Sequence, residues 1–99
     1  MCFTIGVRHP EMLAGVISIA GYYDHRVDPF PAQASVKLPK FVIMNGANDE
    51  SADNNRDAAK RLEAISVPVL FRIYENVGHA FPPNREQELE RALQFILNP

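Results

Sequence analysis

The 99-residue chain is long enough for one small domain and too short for two. Its 46% hydrophobic and 22% charged residues, with a formal charge of −2, are those of an ordinary soluble globular protein; the scattered Lys and Arg give no footprint for nucleic acid or another polyanion. No apolar run approaches the roughly 20 residues needed to span a bilayer. No basic-then-apolar leader is visible, and one cysteine, Cys2, cannot form an internal disulfide, so the expectation is a cytoplasmic protein.

Residues Met1 to His9 are compatible with a helix, which Pro10 stops. Ala14 to Ala20 is a short, nearly continuous apolar run that suits a strand buried on both faces, as in a parallel sheet. Gly21 to Pro39 reads as an irregular excursion. Phe41 to Met44 is a second buried strand running into the turn residues Asn45-Gly46-Ala47-Asn48-Asp49. A helix from about Ser51 to Ile65 carries Ala58, Leu62 and Ile65 on one face. Val67 to Tyr74 is a third strand. Its alternation, with Val69, Phe71 and Ile73 on one face and Arg72 and Tyr74 on the other, and its Pro68 suggest a sheet edge. The last helix starts near Asn84, a candidate N-cap with Gln87 three residues on, and places Leu89, Ala92, Leu93 and Ile96 on its apolar stripe. Strands alternating with helices give the expected fold class: α/β, with three parallel strands, flanking helices and right-handed crossovers.

Open parallel sheets bind ligands beyond the carboxyl ends of their strands. Asp49 and His79 lie there, in successive loops after the second and third strands. Neighbouring strands are about 4.8 Å apart, so the loops can meet. An aspartate at that position can accept the Nδ1 proton of the histidine, fix its tautomer and stabilise the imidazolium formed when the ring takes a proton from a hydroxyl. Taken alone, Asp49 reads first as a turn residue or the N-cap of the next helix, and a lone loop histidine as a surface or structural residue. The pair, in the order acid then histidine, is more specific.

Three segments resemble the α/β-hydrolases. LPKFVIMNGANDE is similar to the strand leading to the triad acid, with Asn45, Gly46 and Asp49 at the family spacing. VPVLFRIYENVGHAF is similar to the last strand and histidine loop, with Val77, Gly78, His79 and Phe81 matching. VRHPEMLAGVISIAGYYD is similar to the helix end and strand that follow the nucleophile elbow. The flavour is that of esterase-like branches: carboxylesterases, dienelactone-hydrolase-like and prolyl-oligopeptidase-like enzymes. The resemblance implies a C-terminal segment of a single hydrolase domain spanning 1–99, belonging to a serine hydrolase that cleaves an ester, or an amide, through an acyl-enzyme. Asp49 and His79 would be its catalytic acid and base. Tyr22, Tyr23 and Asp24 follow the first strand and would border the active-site mouth, where Tyr22, Tyr23 and Phe81 are the substrate-binding candidates; plain loop packing is the stronger alternative for the two tyrosines.

The Gly-x-Ser-x-Gly elbow is absent from the sequence. Counting about 14 residues, four helical turns, back from Pro10 puts the expected serine before Met1. Cys2 does not replace it, since Thr4 stands where a glycine is needed; it reads as a small buried hydrophobe. Ser18, inside an apolar strand, reads as a core hydroxyl, and His9 as a charge partner for a helix C-terminus. Asp24, His25 and Asp28 lack tight metal-ligand spacing, so neither metal nor organic cofactor is expected. The rival reading is a truncated, non-catalytic binding or assembly module.

The same half-sheet argument predicts a homodimer. With a neighbouring strand missing, the Ala14–Ala20 edge offers backbone groups beside a chargeless apolar sequence, and two-fold pairing across it is the simplest closed solution. Sedimentation equilibrium from micromolar to millimolar concentration is expected to show self-association. A monodisperse 11.1 kDa species throughout, with the edge amides protected from exchange, would show that the monomer covers this edge itself.

Overall fold

The structure is a computed structural model that describes residues 2–10, 13–27, 29–30, 38–80 and 82–98, with backbone only at positions 2 and 5. Two sequence expectations fall outside this set: the buried Cys2 side chain and Phe81. Asp28 lies outside it as well.

The elements run α1 (Cys2–Arg8), β1 (Gly15–Ile19), β2 (Lys40–Gly46), α2 (Ala52–Ala64), β3 (Val69–Tyr74) and α3 (Arg85–Leu97). The three strands form one parallel sheet in the order β1-β2-β3. Ile17 pairs with Val42 and Val42 with Leu70, so the register is continuous across the sheet. β2 is central and buried along nearly its whole length, which is why its sequence shows no polar alternation. β3 is an edge strand, half-buried at every position. β2 runs two residues further than the apolar run suggests, through Asn45 and Gly46, and these two residues shape the site.

Side chains alternate across the pleat and divide the core into two clusters. Phe41 and Ile43 join Val16, Phe3, Ala58, Ala59 and Leu62 on the side of α1 and α2. Val42 and Met44 join Ile17, Ile19, Leu70, Ala92, Phe95 and Ile96 on the side of α3. The result is three layers, helices on both faces of the sheet. α2 presents the expected face: Ala58 and Leu62 are fully buried and Ile65 packs against them.

α3 departs from expectation. Leu93 is 50% exposed, while Glu88 is buried with Ala92. The helix is rolled so that Glu88 faces β3, which brings positions 92, 95 and 96 inward and moves Leu93 to the rim. Glu88 Oε1 accepts hydrogen bonds from Tyr74 Oη at 2.5 Å and Arg72 Nε at 3.0 Å, and Arg91 lies 3.5 Å from Oε2. Burial and Glu88 push the Tyr74 hydroxyl up to about 12, so it stays a donor. Lys40 Nζ donates to the carbonyls of Phe95 and Asn98, closing the C-terminal end of the same helix. Asn84 does start α3, but its side chain makes no capping bond.

The Tyr74 hydroxyl, with Arg72, holds the Glu88 carboxyl below its ordinary value of 4.5. A depressed folded-state value stabilises the fold fully above the unfolded value, and the gain is lost as pH falls through the folded one. Glu88→Gln is therefore expected to lower stability at pH 7 by about 1 kcal/mol, the scale of a charge-assisted hydrogen bond beside partly exposed partners. The difference from the parent should narrow below pH 4.5, measured by urea unfolding across pH.

Candidate active site

Both loops of interest leave the carboxyl end of the sheet together. Beyond the paired strands, Ala47 N–H donates to Tyr74 O at 2.8 Å and Asn48 N–H to Val77 O at 2.9 Å. The turn after β2 and the loop after β3 are thus joined through their backbones. Asp49 sits at the end of the first and His79 at the end of the second. His79 Nδ1 lies 2.8 Å from Asp49 Oδ2. The aspartate side chain is 5% exposed and the histidine ring 75% exposed, so the acid lies beneath and the imidazole stands at the surface.

The carboxylate's two oxygens have separate partners. Oδ1 accepts from the Ser51 backbone N–H and the Ser51 hydroxyl, each at 3.0 Å, and Oδ2 faces the imidazole. The backbone N–H of Ser51 is the main cause that holds the Asp49 carboxyl below its ordinary value; His79 and the Ser51 hydroxyl add to it, and burial opposes. An ionised carboxylate only accepts. Nδ1 of a neutral His79 must therefore carry the proton, which leaves the Nε2 lone pair available as a base. The turn expected at Asp49 uses one oxygen and the contact expected with the histidine uses the other.

Gly46 permits this arrangement. A Cβ there would stand 2.1 Å from Val77 O and 2.3 Å from Gly78 O, both backbone atoms. Asn45, buried beside it, donates to Gly46 O and accepts from Asn55 Nδ2 at 3.0 Å. Asn55 Nδ2 also donates to Gly21 O at 2.7 Å, and Asn54 clamps the Tyr23 backbone through Nδ2 to O at 2.7 Å and N–H to Oδ1 at 2.8 Å. The first turn of α2 thereby fixes the loop that follows β1. That loop begins at Ala20, which has φ 54, in the left-handed region, while its N–H donates to Met44 O at 2.9 Å.

Ala20, Gly21, Tyr22, Asp49, Glu50, Ser51 and His79 line an open cleft of about 440 Å³. Tyr22 is 63% exposed on its wall. Tyr23, expected at the same mouth, is 3% exposed and buried instead: its ring stacks on Phe30 at 4.1 Å and meets Phe3 at 5.2 Å, and its hydroxyl accepts from Phe30 N–H. Ser18 is buried, with no hydrogen-bond partner for Oγ among the described residues. Asp24 pairs with Arg26, and the described residues hold no cluster able to bind a metal. Sequence reading missed Ser51, Asn54 and Asn55 as parts of the site, and named Asn45 only for its spacing from Asp49. The one local signal was the serine two residues after Asp49, the spacing of a side-chain turn.

The family model for the α/β-hydrolase fold matches residues 10–83. The chain belongs to the α/β-hydrolase fold family. It is 29% identical over 100 residues to acyl-protein thioesterase 1 of Aspergillus fumigatus, covering 95% of this chain and 42% of that one. The crystal structure of esterase PE8 superposes with a TM-score of 0.72 at 18% identity, over 93% of this chain and 43% of the esterase. An uncharacterized Bacillus cereus protein gives 0.68 at 15% identity, over 87% and 29%. These two likenesses are of fold. The chain thus spans less than half the length of each of these three proteins.

Because the atoms facing Gly46 are backbone, an added methyl must displace the histidine loop. Gly46→Ala is expected to open the Asp49–His79 contact and to speed amide exchange at Asn48, whose acceptor is Val77 O. Amides of the β1–β2 ladder should stay protected; unchanged exchange at Asn48 would show that the loop absorbs the methyl.

Proposed function

We propose that this chain supplies the acid and base of a serine hydrolase that cleaves esters or thioesters through an acyl-enzyme, with the nucleophile contributed by sequence outside these 99 residues. The contact of 2.8 Å between His79 Nδ1 and Asp49 Oδ2 carries the reading. His79 Nε2 takes the proton of the attacking serine hydroxyl and later returns one to the leaving group. Asp49 keeps the ring in the Nδ1–H tautomer and stabilises the imidazolium between those steps. The thioester arm rests on the name of the Aspergillus relative. Tyr22 forms a wall of the acyl or leaving-group side, its backbone fixed between residues tied to α2. The missing Gly-x-Ser-x-Gly element supports a second reading for the 99 residues by themselves, a non-catalytic module on the same half-sheet.

One measurement sets the baseline and a second separates the readings. The 99-residue chain should hydrolyse p-nitrophenyl acetate no faster than free imidazole, since its sequence carries no Gly-x-Ser-x-Gly elbow to supply the serine and the oxyanion-hole N–H that follows it. When the same chain is preceded by an in-frame segment carrying the elbow, ester or thioester turnover should appear and fall about 10,000-fold in Asp49→Asn, which leaves shape intact but permits the wrong tautomer. Turnover insensitive to Asp49→Asn and His79→Ala would remove the catalytic reading.

A further inference from the structure

We infer that Ser51 is a positioning residue of the Asp49–His79 pair, its hydroxyl turned away from helix capping to hold one carboxylate oxygen so that the other meets the imidazole. The inference rests on the function proposed above. Ser51 occupies the N-cap position of α2, where a serine hydroxyl ordinarily accepts from an N–H of the first turn. Here it makes no such bond, and the residue has φ −84 and ψ 3 rather than the extended conformation of a capping residue. The Ser51 carbonyl still accepts from Asn55 N–H at 3.0 Å.

The direction of the hydroxyl proton follows from its neighbours. Two acceptors lie in reach: Asp49 Oδ1 at 3.0 Å and Asn45 Oδ1 at 3.4 Å. The second already accepts from Asn55 Nδ2 at 3.0 Å, and the first is charged and nearer, so Asp49 takes the bond. Asn55 Nδ2, 3.4 Å from Ser51 Oγ, faces the hydroxyl's lone pairs and favours the same orientation.

Two donors from one residue then grip Oδ1. The backbone N–H alone fixes a point about which a carboxylate can pivot. The hydroxyl adds a second point and fixes the plane, which aims Oδ2 at Nδ1. Without the hydroxyl, Asp49 has one fewer partner for its charge and a looser hold on the ring. The helix loses no capping bond, so any stability lost with the hydroxyl comes from the Asp49 carboxylate and its neighbours and not from the helix end.

The test uses the 99-residue chain labelled with nitrogen-15 histidine and carbon-13 aspartate, titrated by NMR as the parent, Ser51→Ala and Ser51→Thr. In the parent, neutral His79 should be mainly the Nδ1–H tautomer. Ser51→Ala should move the Asp49 carboxyl midpoint upward and lower the Nδ1–H share, with the urea midpoint unchanged at pH below the Asp49 midpoint and lowered above it in step with that shift. Ser51→Thr, which keeps the hydroxyl, should restore both signals. If Ser51→Ala leaves both unchanged, if Ser51→Thr fails to restore them, or if both changes track a general loss of amide dispersion, the inference is overturned. A parent chain whose His79 is mainly Nε2–H overturns the Asp49–His79 reading itself, a result distinguishable from the others because it appears before any substitution.

Discussion

The site depends on the continuation of the β2–β3 ladder past the ends of its strands. Ala47 and Asn48 donate to carbonyls on the β3 side after regular pairing has ended, and this backbone seam sets the separation of the two loops before any side chain is considered. The seam requires a residue without Cβ at position 46 and a strand buried enough at its centre to hold its register. The core supplies the latter through Phe41, Ile43 and their neighbours on one face and Val42 and Met44 on the other. The imidazole can then stand largely in solvent and still be held, because its partner beneath is fixed by the sheet.

The second organising element is the start of α2. Within five residues, Ser51, Asn54 and Asn55 reach the acid, the loop after β1 and the buried Asn45. The turn that carries the acid, the end of β2 and the distant loop after β1 therefore share one short stretch of chain as their common support. A side-chain amide suits this task because it donates and accepts in fixed directions without bringing a charge into the interior. Asn55, fully buried, donates to both Gly21 and Asn45.

Much of this was legible in the sequence, and the misses share a cause. Apolar runs and turn residues located all three strands and both long helices, because burial and backbone geometry act locally on the pattern. The meeting of Asp49 and His79 was expected because turn chemistry and strand ends have signatures, and the two side chains do meet. Hydrophobicity placed Leu93 inward and had no means of burying Glu88, whose partners Arg72 and Tyr74 lie on another element. Two adjacent tyrosines looked alike, yet Tyr22 lines the cleft and Tyr23 enters the core against Phe3 and Phe30. The supporting amides escaped notice because their partners are up to 34 residues away, and composition does not record a contact at that distance.

The fastening of α3 has a consequence for how the sequence can vary. Lys40, Arg72 and Tyr74 hold this helix at its two ends, and no residue of α3 lines the cleft. The helix can drift in composition, or be reinforced, while the imidazole keeps its setting. Tolerance to change is thus expected at the outward positions of α3, away from Glu88, Ala92, Phe95 and Ile96, while the loops at the carboxyl end of the sheet keep their fastening.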